Sequence, residues 1–159
     1  MKITVISVGK SKERYWTDAC AEYARRLSRH AQVALVEVPD EKIPERATPG
    51  QKRLVIEREG ERVLAKIPEG AYVTAMAIDG KRPDSPELAA DLRQKMNTGR
   101  SHLCYIIGGS LGLSEAVLAR ADERLSFSAL TFPHQLARVM LLEQLYRSFS
   151  ILAGSPYHK

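Results

Sequence analysis

The sequence predicts an α/β protein, a mainly parallel sheet with helices on both faces. Three observations predict it. Apolar residues alternate between strand-like runs and helix-like periods five times in succession. Proline, glycine and capping residues punctuate the changes of period. The 159 residues, 44% hydrophobic and 27% charged, suit one globular domain spanning residues 1–159, with no need of a disulfide or metal staple.

The elements follow in order. Ile3–Val8 is an apolar run that reads as a buried strand, and Glu13–Arg29 is a helix with Tyr15, Ala19, Tyr23 and Leu27 on one stripe. Val33–Val38 is a second strand. The stretch PDEKIPERATPG, Pro39–Gly50, holds three prolines and a glycine and reads as a loop. Gln51–Ala65 is a charged amphipathic helix carrying Leu54, Ile56, Val63 and Leu64. Tyr72–Ile78 is a third strand that ends at an Asp79–Gly80 turn, and Pro86–Asn97 is a helix behind a Ser85 cap, closed by Thr98–Gly99. Leu103–Ile107 is a fourth strand, Glu115–Ala121 a short helix, Leu125–Ser128 a short fifth strand, and Pro133 to Leu152 the last helix. That helix is apolar around nearly its whole circumference, from Leu136 and Val139 to Tyr146 and Phe149, so it must be covered on more than one side. A partner subunit in an isologous dimer is the simplest cover; neighbouring helices of the same chain are the other.

Composition narrows the function. Cys20 and Cys104 form no C-x-x-C pair and the four histidines are scattered, so reduced thiols, a cytoplasmic location and no metal are expected. The six-residue run Ile3–Val8 is too short for a signal peptide, and no stretch suggests a membrane span. The net charge is +5, of which +4 falls on residues 1–30 (Lys2, Lys10, Lys12, Arg14, Arg25, Arg26 and Arg29 against Glu13, Asp18 and Glu22). Clustered cations fit a polyanionic partner, and equally a solvated helix face.

Two loops after late strands can carry chemistry. In IIGGSLGLS, Ile106–Ser114, the glycines Gly108, Gly109 and Gly112 let backbone amides approach a ligand just before a helix begins. The turn after the first strand reads SVGKSKER, so the dinucleotide fingerprint and the Walker A motif are both absent there. In LSFSALTFPHQLAR, Leu125–Arg138, small and apolar residues lead to a helix that Thr131 could cap and Pro133 could open. His134 and Arg138 stand one turn apart on it. Taken alone, His134 reads more simply as a capping or interface residue. The terminal SPYHK, Ser155–Lys159, offers an aromatic, an imidazole and a lysine that could fold back over a site. No G-x-S-x-G element and no paired loop carboxylates support hydrolase or glycosidase chemistry.

The motifs IGGSLGL, LSFSALTFPHQLARVMLLEQLYR and PYHK, with ITVISVGKSKERYW and VTAMAIDGK before them, resemble the SPOUT-class large-subunit ribosomal RNA methyltransferases that methylate N3 of a pseudouridine. The likeness runs through essentially the whole chain, with Met76 where that family commonly has leucine. The resemblance implies a SPOUT methyltransferase fold whose C-terminal part is threaded as a trefoil knot, an exception to the usual absence of knots. It implies a homodimer, S-adenosyl-L-methionine as cofactor, and a pseudouridine in the intersubunit stem-loop of 23S rRNA, in the assembled ribosome, as substrate. Carried over by position, Met76, Gly108, Gly109, Phe127, Ser128, Ala129, Leu130, Thr131 and Phe132 would hold the cofactor. His134, Tyr157 and His158 would be catalytic, the last two acting on their own or the partner's site. Arg138 would orient the RNA, and Arg147 would pair with Glu143. A knotted tRNA methyltransferase and a non-catalytic ribosome-binding factor are the competing expectations. The short chain, with no accessory RNA-binding domain, favours the ribosomal enzyme.

Overall fold

The structure, a computed structural model, describes residues Met1–Lys159. Its elements are β1 (Lys2–Val8), α1 (Arg14–Leu27), β2 (Gln32–Val38), α2 (Pro49–Leu64), β3 (Tyr72–Lys81), α3 (Ser85–Asn97), β4 (His102–Ile107), α4 (Glu115–Arg120), β5 (Glu123–Leu125) and α5 (His134–Leu152). The five strands form one sheet in the order β2-β1-β4-β3-β5, and every neighbouring pair is parallel. The predicted fold class and the β–α succession hold.

Strand alternation divides the core. Ile3 and Val5 of β1 with Leu103, Tyr105 and Ile107 of β4 face α1, α3 and α5. Ile6 and Val8 with Cys104 and Ile106 face α2 and α4. Both faces of the central strands are therefore apolar, as expected of a parallel sheet covered on two sides. Leu141, Leu142 and Leu145 of α5 are almost wholly buried on the first face. Each such side chain contributes about 1.5–3 kcal/mol by leaving water.

Several boundaries differ from the sequence reading, each for a local reason. Pro49 and Gly50 are helical, because Thr48 caps α2. Its hydroxyl accepts from Gln51 N at 3.2 Å and its own amide donates to Gln51 Oε1 at 2.8 Å, with Pro49 in the first turn. Asp84 and Glu87 make the same reciprocal box ahead of α3. Ser85, expected as the cap, instead donates to Gln144 Oε1 at 2.7 Å and ties α3 to α5. β3 continues past Asp79–Gly80 to Lys81, with a break in its register against β5 between Met76 and Lys81, and a Cβ on Gly80 would stand 2.6 Å from Leu125 N, so β3 and β5 need that glycine to lie together. β5 stops at Leu125, and the chain from Ser126 to Pro133 has no regular structure. Pro133, without a side-chain cap, precedes α5. On α1 Tyr23 and Leu27 face inward as read, but Trp16 and Cys20 take the places expected for Tyr15 and Ala19, and Tyr15 is 64% exposed.

No residue of α5 is exposed. α1 and α3 flank it on the same face of the sheet and bury Leu141, Leu142, Leu145 and Phe149, while Leu136, Val139, Met140 and Tyr146 stay half-buried.

Candidate active site

The carboxyl ends of β3, β4 and β5 open into a cleft of about 790 Å³ lined by 23 residues. Parallel α/β sheets place their ligands at this end of the strands. Three segments build the walls. From β3 come Met76, Ile78 and Asp79, the last paired with Arg124 at 2.8 Å.

From β4 comes the glycine loop. Gly112 N donates to Gly109 O at 3.1 Å, and Gly112 has φ of 87°, a conformation that favours glycine. A Cβ on Gly108 would lie 2.9 Å from the backbone of Gly112, so a side chain there would push the loop apart. Behind Gly109 stands the carboxylate of Glu59, whose Oε2 has no partner; burial pushes its pKa up. Ser114 then caps α4.

The third segment is Leu125–Pro133. Ser126 N donates to Lys81 O at 2.8 Å, Ser126 Oγ donates to Ser128 O at 2.8 Å, and Leu130 N donates to Ser128 Oγ at 3.0 Å. Phe127 meets Phe132 edge-on at 6.4 Å. The structure thus brings Met76, Gly108, Gly109, Phe127, Ser128, Leu130, Thr131 and Phe132 into one cleft wall. Ala129 lies in the same segment, outside the lining and exposed.

His134 enters the cleft from the first turn of α5. Burial, with the neighbouring Arg138 guanidinium, lowers its pKa from the usual imidazole value. Arg138 itself is 5% exposed. Its Nη1 donates to Glu37 Oε1 at 2.5 Å and Ser11 Oγ at 2.9 Å, and its Nη2 donates to Gly9 O and approaches His134 Nδ1 to 3.3 Å. Its hydrogen bonds are all within the chain, and it faces the ends of β1 and β2. Sequence reasoning missed Gly9, Ser11 and Glu37. Nothing in their local pattern distinguishes them from ordinary strand-end residues.

The tail lies elsewhere. Tyr157 Oη donates to Glu143 Oε1 at 3.1 Å, its ring meets Tyr146 at 4.9 Å, and the Arg147 guanidinium covers it at 4.8 Å. Burial and the Glu143 carboxylate push the Tyr157 phenol up to about 12. Arg147 holds Glu143 at 2.5 Å, the pairing expected for it, and reaches His158 Nδ1 at 3.3 Å. Glu143 is two and a half turns beyond His134, about 14 Å along the axis. Within one chain, Tyr157 and His158 therefore do not join the cleft.

A parallel sheet with a glycine loop at the carboxyl end of a late strand, and a helix-opening histidine beside it, places the site away from the early glycine turn of dinucleotide-binding sheets. A family model described as "Predicted SPOUT methyltransferase" matches residues 1–158, and the chain belongs to this family. Among its relatives, "Ribosomal RNA large subunit methyltransferase H" of Listeria monocytogenes (serovar 1/2a) is 55% identical over 159 residues, covering all of both chains. The protein of the same description in Bifidobacterium adolescentis is also 55% identical over the full length of both. Solved structures share the fold. A probable methyltransferase from Bordetella pertussis Tohama I superposes with a TM-score of 0.54 at 17% identity, covering 92% of this chain and 95% of that one. The tRNA (m1G37) methyltransferase from Aquifex aeolicus gives 0.52 at 10% identity, covering 92% and 70%. The SPOUT methyltransferase family and the parallel α/β sheet expected from the motifs are those found.

Proposed function

We propose that the protein methylates N3 of a pseudouridine in 23S rRNA, in the intersubunit stem-loop of the assembled ribosome, with S-adenosyl-L-methionine as donor. In this reading it acts in the cytoplasm as a homodimer, with its C-terminal segment threaded as a trefoil knot. The ribosomal substrate is supported by two relatives of 55% identity that share this chain's whole length. The observation that carries the donor is the cleft itself. Gly108 lets the 108–112 loop fold tightly on itself at the cleft, and Met76, Leu113, Leu125 and Phe127 supply apolar wall for the donor's methylene groups and adenine ring. When bound, the donor supplies a sulfonium methyl group, for which in-line positioning of the acceptor accounts for much of the rate.

The chain's residues do the rest. In this reading the backbone amide and carbonyl groups of 108–112 and 126–132 fix the donor. His134, at the cleft edge, faces the acceptor base, whose N3 must lose a proton. Arg138, whose two terminal nitrogens are held by Glu37, Ser11 and Gly9 while its buried Nε has no partner, positions His134 in place of contacting RNA. Tyr157 and His158 reach a cleft only as the partner subunit's contribution, where they stack on the base and contact its backbone.

A mass map of 23S rRNA from ribosomes incubated with the pure protein and labelled donor tests the reading. One added methyl on a single pseudouridine of the intersubunit stem-loop is expected. Label found in tRNA alone, or no donor binding at millimolar concentration in isothermal titration, overturns it.

A further inference from the structure

We infer that Arg138, braced by Glu37, is a positioning residue that fixes the His134 tautomer, so that the imidazole presents an Nε2–H donor to the reacting base and does not take its N3 proton. The inference rests on the reading of the cleft given above and deepens it.

The argument begins with the chemistry of the pair. A guanidinium has five N–H donors, no acceptor, and keeps its charge at any relevant pH. Arg138 Nη2 stands 3.3 Å from His134 Nδ1, so in this contact Nδ1 is the acceptor. A neutral imidazole whose Nδ1 lone pair is engaged carries its proton on Nε2. That nitrogen makes no hydrogen bond within the chain, and His134 lines the cleft.

The pair cannot easily rearrange. Arg138 is held by Glu37 Oε1 at 2.5 Å, Ser11 Oγ at 2.9 Å, Val8 O at 3.4 Å and Gly9 O. Ser11 N donates to the same Glu37 oxygen at 3.1 Å, which fixes the carboxylate in turn. The imidazole edge rests on Gly9, where a Cβ would stand 3.1 Å from Cε1 and press on the ring. Protonating His134 would set a second cation 3.3 Å from the guanidinium in a half-buried site. The charged groups around the ring come from every neighbouring element: Arg138 from α5, Glu37 from β2, Asp40 beyond β2, and Glu13 ahead of α1. Burial and Arg138 outweigh the three acids, and the ring stays neutral.

A donor is what this methylation needs beside N3. N3 of the base lies between two carbonyl groups, and losing its proton spreads negative charge onto both oxygens. The N3–H bond breaks and its proton passes to solvent water. N3 forms a bond to the methyl carbon, and sulfur keeps the electron pair of the carbon–sulfur bond it loses. Nε2–H of His134 donates to one of the two carbonyl oxygens while that charge develops, which is electrostatic stabilisation of a forming anion.

Two measurements test this. The first needs no donor and no RNA: long-range proton–nitrogen correlation spectra of histidine-labelled protein, with His134 assigned through H134Q. A neutral Nε2–H ring at pH 7 is expected in the wild type, and a mixed or inverted tautomer in Arg138→Met, with Glu37→Gln intermediate. An Nδ1–H or cationic ring in the wild type overturns the inference. The second is kinetic. Glutamine places an amide N–H where Nε2 stands, so H134Q is expected to keep methyl transfer within about tenfold of wild type. His134→Ala is expected to lose about 100- to 1000-fold, the usual loss for one anion-stabilising donor. H134Q falling as low as H134A overturns it as well. A wild-type protein that methylates no ribosomal RNA defeats the functional reading, and the spectra then still decide the tautomer.

Discussion

Gly9 and His134 are in contact: a methyl group on Gly9 would stand 3.1 Å from Cε1 of the imidazole. Gly9 also has φ of 86°, where a side chain is strained. The end of β1 thus sets the position of a ring on α5, 125 residues further along the chain. Gly9→Ala should cost roughly 1–2 kcal/mol of stability through strain and turn the ring away from Arg138. The expected result is a several-degree fall in Tm with at least tenfold slower methyl transfer, measured on ribosomes. A fully active G9A variant would show that the ring does not need this seat.

Gly108 gives a cleaner separation of binding from folding. Its missing Cβ would meet the Gly112 backbone at 2.9 Å, and that backbone cannot swing aside as a flexible side chain could. Gly108→Ala should weaken donor binding at least tenfold in isothermal titration, about 1.4 kcal/mol. Far-UV circular dichroism should be unchanged.

The tail makes a third prediction. Tyr157 and His158 rest on Glu143 and Arg147 of α5 in their own chain and do not line their own cleft. Removing residues 156–159 should leave donor binding intact and abolish methyl transfer. Mixing the truncated protein with His134→Ala should restore part of the activity by pairing an intact cleft with an intact tail. No restoration after subunit exchange would place the tail's role within its own subunit.

Stability should fall on acidification. Burial lowers the pKa of both His102 and His134 in the folded chain. The unfolded chain therefore binds these protons first, near pH 6.5. Their contribution is complete above that pH and is lost as pH falls through the lower folded values. Urea titrations at pH 7.5 and 5.5 should differ less in a His102→Asn, His134→Gln double variant than in the wild type.

Lys95 tests the sheet edge. Its ammonium is buried between Asp91 at 2.5 Å and Glu123, and covers the Tyr72 ring at 4.9 Å. Lys95→Met strands the Glu123 carboxylate in the interior, which costs about 3 kcal/mol. Denaturant unfolding checks it, and a loss below 1 kcal/mol would mean that water reaches Glu123.

The fold was legible because its signals are local. Runs such as Leu103–Ile107 are apolar on both faces, and the proline-rich 39–48 stretch breaks any period. The two late loops were legible for a similar reason: glycines after a strand and a proline before a helix are short-range features. The surroundings of His134 and Arg138 were not. Gly9 meets the ring, and Ser11 and Glu37 hold Arg138, only because β1 and β2 lie beside each other in the sheet, 97 or more residues before His134 in sequence. The cover of α5 was hidden for the same reason, since composition shows that a helix is apolar but not which neighbour it meets. Thr48 and Asp84 displaced the expected boundaries because capping is decided by a hydrogen bond to the third residue, which Ser85 gives up to reach Gln144.

The layer that carries α5 has a consequence for how the chain is made. Synthesis runs from β1 to β5 before any of α5 exists, so the sheet face bearing Ile3, Val5, Leu103 and Tyr105 waits, part bare, for Leu141, Leu142 and Leu145 to arrive. The cleft waits with it, because Ser126–His134 follows all five strands. Assembly of this protein is therefore closed from its late end. A chain interrupted before residue 134 keeps a complete strand set, yet it exposes a greasy surface that chaperones or neighbouring nascent chains would bind.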